Sequence, residues 1–93
     1  MMETPNAERA VEIVNRAGMH ARPAAEFVKL AGSFASRITV EKDGLEVNGK
    51  SIMGVLMLAA EQGSTLRVAA HGDDAGDAVA ALAELVGRGF EEN

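Results

Sequence analysis

Cysteine, tryptophan and tyrosine are absent from this sequence of 93 residues, and three phenylalanines are its only aromatic side chains. The lack of cysteine excludes disulfides, thiolate catalysis and cysteine-ligated zinc sites. Two histidines without HExxH spacing argue against a catalytic metal site. An aromatic content of 3% argues against a stacking platform for single-stranded nucleic acid.

Positive charge is also scarce, because nine Lys and Arg face fourteen Asp and Glu, which gives a formal net charge of −5. Acidic chains are repelled by nucleic acid and by anionic membranes, so we expect neither as a partner. The sequence lacks an apolar run near the roughly 20 residues that a membrane-spanning helix needs. Residues 1–8 are polar and acidic, unlike a signal peptide, so we expect a cytoplasmic protein.

The length and the hydrophobic content of 47% fit one small domain with one core. We expect a flexible lead-in over residues 1–8 and a single domain over residues 9–93. Apolar periodicity predicts the element order strand, helix, strand, strand, helix, strand, helix. The predicted elements span residues 9–15, 21–32, 37–42, 45–48, 51–58 and 65–70, with a last helix from 72–74 to 87.

Each predicted strand has one polar face, which indicates an antiparallel sheet with one solvated side. In the short strand over residues 45–48, Leu45 and Val47 are expected to face inward. The helices must then cover the other face of the sheet. The predicted fold is α+β, an open-faced two-layer β-sandwich of order βαββαβα in which three helices cover one face of a four-stranded antiparallel sheet.

A histidine at the start of the first helix is the main candidate for chemistry, in the sequence GMHARPAA (residues 18–25). Pro23 fits only in the first turn of a helix, so His20 falls at or beside the N-cap. Helix N-termini bind anions, phosphate above all, and imidazole is a nucleophile near neutral pH. With the guanidinium of Arg22 in reach, the pattern predicts a residue that accepts and passes on a phosphoryl group. The alternative interpretation is a solvated surface histidine or a modest cap.

A second segment, KSIMGVLML (residues 50–58), is nearly all apolar after Ser51. Ser51 is a natural N-cap, and a phosphate there would add negative charge beside an apolar patch without breaking the helix. A helix that is apolar all round cannot be buried on every side of a two-layer domain. Some of Ile52, Met53 and Leu56 are therefore expected on a docking surface, with core packing as the alternative.

Together the two segments resemble the histidine-containing phosphocarrier protein (HPr) family of the bacterial phosphoenolpyruvate-dependent sugar phosphotransferase system. GMHARPA is similar to the active-site signature of that family and KSIMGV to its serine-phosphorylation segment, and the resemblance runs over residues 9–90. It implies that His20 accepts the phosphoryl group through its δ nitrogen and that Arg22 stabilises it. It also implies that Ser51 is a regulatory site for an ATP-dependent HPr kinase/phosphorylase.

The resemblance further implies a relay in which phospho-enzyme I donates to His20 and phospho-His20 donates to sugar-specific IIA domains. The protein would be a carrier and not an enzyme, and we expect a monomer without cofactor or metal. A transcriptional regulator would be a further partner of this carrier. Lys29, Met53 and Leu56 are similar to family residues that dock partners. To these the local pattern adds Lys50 and Ile52.

Two alternatives remain open at the level of sequence. The protein would be a regulatory phosphotransfer protein, of a nitrogen-type or incomplete system, that moves no sugar. Otherwise it would be a non-catalytic binding or corepressor module in which His20 is incidental. The acidic stretch over residues 1–8 is longer than is usual in the family. His71, at the end of a strand and before Gly72, is expected to be a surface loop residue without a catalytic role.

Overall fold

The computed structural model describes residues 4–92, and the seven predicted elements are all present in the predicted order. The strands form one antiparallel sheet of order β1-β4-β2-β3, covered by the helices as an open-faced α+β sandwich, which confirms the predicted fold class. The elements are β1 (Ala7–Glu12), α1 (Ala21–Gly32), β2 (Arg37–Lys42), β3 (Leu45–Asn48), α2 (Ile52–Met57), β4 (Thr65–His71) and α3 (Ala75–Gly87), followed by a 3-10 turn (Gly89–Glu91).

The first strand lies earlier in the chain than its predicted range of 9–15. Ala7 and Glu8, which were predicted to be part of a flexible lead-in, pair with β4. Residues 1–3 of that lead-in lie outside the described residues. The apolar pattern misplaced the strand because β1 is an edge strand whose residues 8–10 are exposed, so its pairing depends on backbone hydrogen bonds.

The core lies between the sheet and the helices, where the predicted apolar stripes meet. Leu66, Val68 and Ala70 of β4 are buried against the helices. The whole predicted stripe of the last helix is also buried, namely Ala75, Ala78, Val79, Leu82, Leu85 and Val86. No helix in the described part of the chain has the length and apolarity that crossing a membrane requires.

The prediction for β3 is wrong at Leu45, whose exposed fraction is 45%, while Val47 is half-buried against the core. Leu45 directly follows the turn at Asp43 and Gly44, where both residues have positive φ as a tight hairpin requires. β3 is the other edge strand of the sheet, and both residues at its hairpin end are exposed.

The loop before α1 is fixed to the segment after α2 by a close backbone approach. Met19 N donates to Ala60 O at 2.8 Å, and the Met19 side chain is buried. Gly18 has φ +70°, and a Cβ there would lie 2.5 Å from Ala60 O. Only glycine therefore fits at residue 18, and its absence of a side chain allows the two segments to meet just before His20.

We expect Gly18→Ala to destabilise the fold more than Gly63→Ala. Gly63 also has positive φ, at +92°, but a Cβ there would meet no atom within 4 Å. Gly63→Ala should therefore lose about 1–2 kcal/mol of unfolding free energy from the left-handed backbone alone. Gly18→Ala adds the clash with Ala60, and urea denaturation measures the difference. Equal losses in the two variants would contradict the packing described for this loop.

Candidate functional site

His20 is the N-cap residue of α1, as the position of Pro23 predicted. Its backbone is extended, with φ −82° and ψ −171°, and its carbonyl accepts the first helical hydrogen bond from Ala24 N. The imidazole makes no capping hydrogen bond, and 44% of its side chain is exposed. The ring therefore lies at the positive end of the helix while remaining accessible to a macromolecular partner.

The imidazole contacts a carboxylate from the far end of the described chain. His20 Nε2 lies 3.0 Å from Glu92 Oε1, and the same oxygen accepts a 2.9 Å hydrogen bond from Asn15 Nδ2. Asn15 is buried and its Nδ2 also donates to Gly18 O at 2.8 Å. Three segments therefore build the site. They are the loop before α1, the N-cap residue His20, and the C-terminal turn, which consists of the 3-10 turn after α3 and Glu92.

The pKa of Glu92 is held below its ordinary value of 4.5, mainly by the hydrogen bond from His20 and then by the one from Asn15. The positive charge of Arg22 acts in the same direction. The Glu92 carboxyl group is therefore ionised at neutral pH, so that its oxygens only accept hydrogen bonds.

The C-terminal turn positions Glu92 through a buried aromatic anchor. Phe90 is part of the core, and Gly89, Phe90 and Glu91 all have positive φ, which reverses the chain after α3. Gly89 lies against Asn15, because a Cβ there would be 3.5 Å from the Asn15 Cβ. Glu92 and Asn15 were not predicted as site residues, since neither a short acidic stretch nor a single asparagine before a loop carries a periodic signal.

Arg22 and Lys29 differ in their relation to His20. Arg22 lies in the first turn of α1 with 80% of its side chain exposed and Nε 4.0 Å from Glu26 Oε1. Its guanidinium is therefore weakly held and is close enough to affect the charge of Glu92. Lys29 is exposed in the last turn of α1, nine residues and about 13 Å beyond His20 along the helix.

The second helix presents an exposed apolar surface, which we call the apolar ridge and which consists of Ile52, Met53 and Met57. Met53 is 68% and Met57 65% exposed, and the two share one helix face because they are four residues apart. Met57 was not among the docking residues predicted from the sequence. Leu56, predicted to dock partners, is half-buried and packs against the core.

Ser51 and Lys50 both make structural contacts at the start of α2. Ser51 Oγ accepts a 3.1 Å hydrogen bond from Gly54 N, which confirms the predicted N-cap. Lys50 Nζ donates to Phe34 O at 2.7 Å, so the ammonium group of this predicted docking residue is engaged by the loop after α1. The opposite end of α2 leads to Ala60, which holds the loop before His20.

His71 lies apart from this site, at the end of a strand as predicted. It is the last residue of β4 itself, one residue beyond the predicted end of that strand, and not the first residue of the following loop. It lines a shallow groove of about 260 Å³ on the open face of the sheet, together with Glu41 and Arg67. His20 is not among the residues that line it. Within residues 4–92, no group of three or more His, Asp or Glu side chains is placed to hold a metal ion.

A family model described as the PTS HPr component phosphorylation site matches residues 7–88. The chain is 42% identical to the phosphocarrier protein HPr of Cupriavidus necator over 85 residues, which are 91% of this chain and 96% of that protein. It is 46% identical to the HPr-like protein Crh of Halalkalibacterium halodurans over 79 residues, which are 85% of this chain and 94% of that protein.

Solved structures agree with these relatives. A crystal structure of HPr from Thermoanaerobacter tengcongensis has a TM-score of 0.90 and 47% identity, and the match covers 94% of this chain and 98% of that one. A dimer of HPr from the same organism has a TM-score of 0.75 and 46% identity over 99% of this chain and 100% of that one. The chain therefore belongs to the HPr family of phosphocarrier proteins of the phosphotransferase system.

Proposed function

We propose that this protein carries a phosphoryl group on His20 from phospho-enzyme I to sugar-specific IIA domains in the cytoplasm. The observation that carries the proposal is an accessible imidazole at the N-terminus of α1, within the segment that the family model covers. The site is an exposed surface and not an enclosed pocket. It therefore suits a donor and an acceptor that are themselves proteins.

In the first transfer, a lone pair of the His20 imidazole forms the new N–P bond while the bond from phosphorus to the donor breaks. The donor leaves with the electron pair of its former bond to phosphorus. In the second transfer, the acceptor attacks phosphorus and His20 leaves with the electron pair of the N–P bond. Such a transfer requires alignment and charge stabilisation more than covalent assistance. The first-turn N–H groups of α1 and the exposed guanidinium of Arg22 supply positive charge at this end of the helix.

A carrier must also release its phosphoryl group. Tight binding of the phosphorylated state would slow the second transfer, since only stabilisation specific to the transition state accelerates it. The partly exposed His20 and the weakly held Arg22 meet this requirement, because neither encloses the phosphoryl group before a partner docks. The partner then completes the site and excludes water.

Ser51 is proposed as a regulatory phosphorylation site for an ATP-dependent HPr kinase/phosphorylase. Its Oγ already accepts a hydrogen bond from the N-terminus of α2, where phosphate oxygens are also stabilised. A phosphate there would place about two negative charges beside Ile52 and Met53 of the apolar ridge. Phosphorylation would then change which partners dock, including a transcriptional regulator, without unfolding the domain.

The apolar ridge is proposed as the surface that docks enzyme I and IIA domains, and Lys29 and Lys50 as its basic border. Support comes from the exposure of Met53 and Met57 and from the hydrogen bond that ties the segment after α2 to the loop of His20. Methionine side chains adapt to several partners because they are flexible and polarisable. The shuttle is proposed to act as a monomer, which size-exclusion chromatography with light scattering tests.

A second candidate function is that of a non-catalytic binding or corepressor module, in which His20 carries no phosphoryl group. The similarity to the HPr-like protein Crh favours it, since that relative is named as distinct from HPr itself. A purely regulatory module would keep its partner binding when His20 is replaced. The phosphate-uptake experiment below therefore separates the two functions.

His20→Ala is expected to abolish phosphate uptake from phosphoenolpyruvate, Mg²⁺ and enzyme I, because it removes the accepting nitrogen. Intact mass spectrometry should show one acid-labile phosphate on the unmodified protein and none on the variant. His71→Ala is the matched control and should retain full uptake, since His71 lies at the end of β4 away from the site. Uptake that survives His20→Ala would refute the relay.

Ser51→Ala is expected to abolish labelling by HPr kinase/phosphorylase with ATP and to lower the unfolding free energy by about 1 kcal/mol through loss of the N-cap. Mass spectrometry and urea denaturation measure the two effects. Ser33→Ala controls for the loss of an exposed hydroxyl, because Ser33 Oγ only donates to Leu30 O at the end of α1. Labelling that persists in Ser51→Ala would exclude Ser51 as the site.

Met53→Glu is expected to raise KM for enzyme I about tenfold with kcat unchanged, because it places a charge where an apolar side chain is desolvated on docking. Leu45→Glu is the control, since Leu45 is an exposed apolar residue at the far end of β3. Steady-state phosphoryl transfer measures both variants. Similar effects at the two positions would argue against a specific docking role for the apolar ridge.

A further inference from the structure

The contact between Glu92 and His20 joins parts of the chain that are 72 residues apart, and the fold supports it on both sides. The buried Phe90 anchors the C-terminal turn in the core, and Gly89 packs beside Asn15. Asn15 Nδ2 then donates to the same Glu92 oxygen that faces the imidazole. The Glu92 carboxylate is therefore held beside Nε2 of His20 by the hydrogen bond from Asn15 as well as by its contact with the ring.

The chemistry of this contact determines where the proton of the neutral imidazole lies. A neutral imidazole has one N–H donor and one nitrogen with a free lone pair. An ionised carboxylate only accepts hydrogen bonds, and Asn15 Nδ2 beside it only donates. At a separation of 3.0 Å from Glu92 Oε1, Nε2 must therefore be the nitrogen that carries the proton. The lone pair is left on Nδ1.

We propose that Glu92 is a positioning residue for phosphoryl transfer, because its carboxylate accepts the Nε2–H of His20 and so keeps the lone pair on Nδ1. This inference rests on the proposed function of His20 and adds a residue to it. When Nδ1 attacks phosphorus, the N–P bond forms and the donor leaves with the electron pair of its bond to phosphorus. Positive charge then develops on the ring. The ring keeps its Nε2 proton, and Glu92 stabilises the developing charge.

The contact between His20 and Glu92 depends on the ionisation of the Glu92 carboxyl group. The hydrogen bonds from His20 and Asn15, and after them the charges of His20 and Arg22, lower the pKa of Glu92 and favour its ionised carboxylate. Because the pKa of Glu92 is below 4.5 in the folded protein, the contact is complete above that pH and is lost as the pH falls through the lowered value. Glu91 is exposed and adjacent in sequence, which makes it a control for a nearby acidic charge.

The first test measures the tautomer in the unphosphorylated protein and does not depend on any phosphoryl transfer. ¹⁵N NMR of histidine-labelled protein, at a pH where His20 is neutral, should show Nε2 protonated in the unmodified chain. Glu92→Ala should increase the fraction of molecules with the proton on Nδ1, whereas Glu91→Ala should not. Thermal unfolding of each variant checks that the fold is retained.

The second test measures the rate of phosphoryl transfer from phospho-enzyme I. Exposed charge pairs contribute modestly, so Glu92→Ala should slow transfer about threefold to fivefold. Glu92→Gln, which keeps the size of the side chain and removes its charge, should also slow it, and Glu91→Ala should not. A change in only one of the two measurements, or no difference from Glu91→Ala in either, would overturn the role of Glu92. Failure of the unmodified chain to accept phosphate would instead overturn the proposed function.

Discussion

Two hydrogen bonds from the buried amide of Asn15, to Gly18 O and to Glu92 Oε1, join the turn before His20 to the C-terminal turn. The first fixes the loop in which Gly18 approaches Ala60, and that approach sets where α1 begins. The second brings a carboxylate to the imidazole. The orientation of His20 thus depends on the buried Asn15 amide, although neither of these two hydrogen bonds goes to the imidazole itself.

The start of α1 places opposing charges around one ring. The helix N-terminus and Arg22 are positive, whereas the Glu92 carboxylate is negative and lies 3.0 Å from Nε2 of the ring. In the proposed mechanism, this arrangement separates the nitrogen that holds a proton from the nitrogen that reacts. The positive charge at the helix start is local, so it is compatible with an overall charge of −5.

Most of the fold could be predicted because buried stripes have a period. The stripe of α3, the alternation in β4 and the caps at His20 and Ser51 all follow from local residue patterns. The two edge strands were predicted less accurately, because they lack a regular buried stripe. β1 is held by backbone pairing, and Leu45 of β3 lies exposed at a hairpin end.

The candidate site was predictable only in part. His20, Arg22 and Ser51 stand in recognisable local motifs, but Glu92 reaches the site through three residues of positive φ after α3. No short-range pattern encodes such a reversal, because it depends on Phe90 entering the core and on Gly89 packing beside Asn15. Long-range contacts made by single polar side chains are the part of the site that requires three-dimensional coordinates.

The central claim is that the fold presents Nδ1 of His20 as the nitrogen that carries the phosphoryl group. Two-dimensional ¹H–¹⁵N NMR of ¹⁵N-histidine-labelled protein, recorded after phosphorylation by enzyme I, observes both ring nitrogens of both histidines directly. The account predicts a phosphoryl group on Nδ1 of His20 with Nε2 still protonated and with the His71 signals unchanged. A phosphoryl group on Nε2 of His20, or on His71, would contradict it.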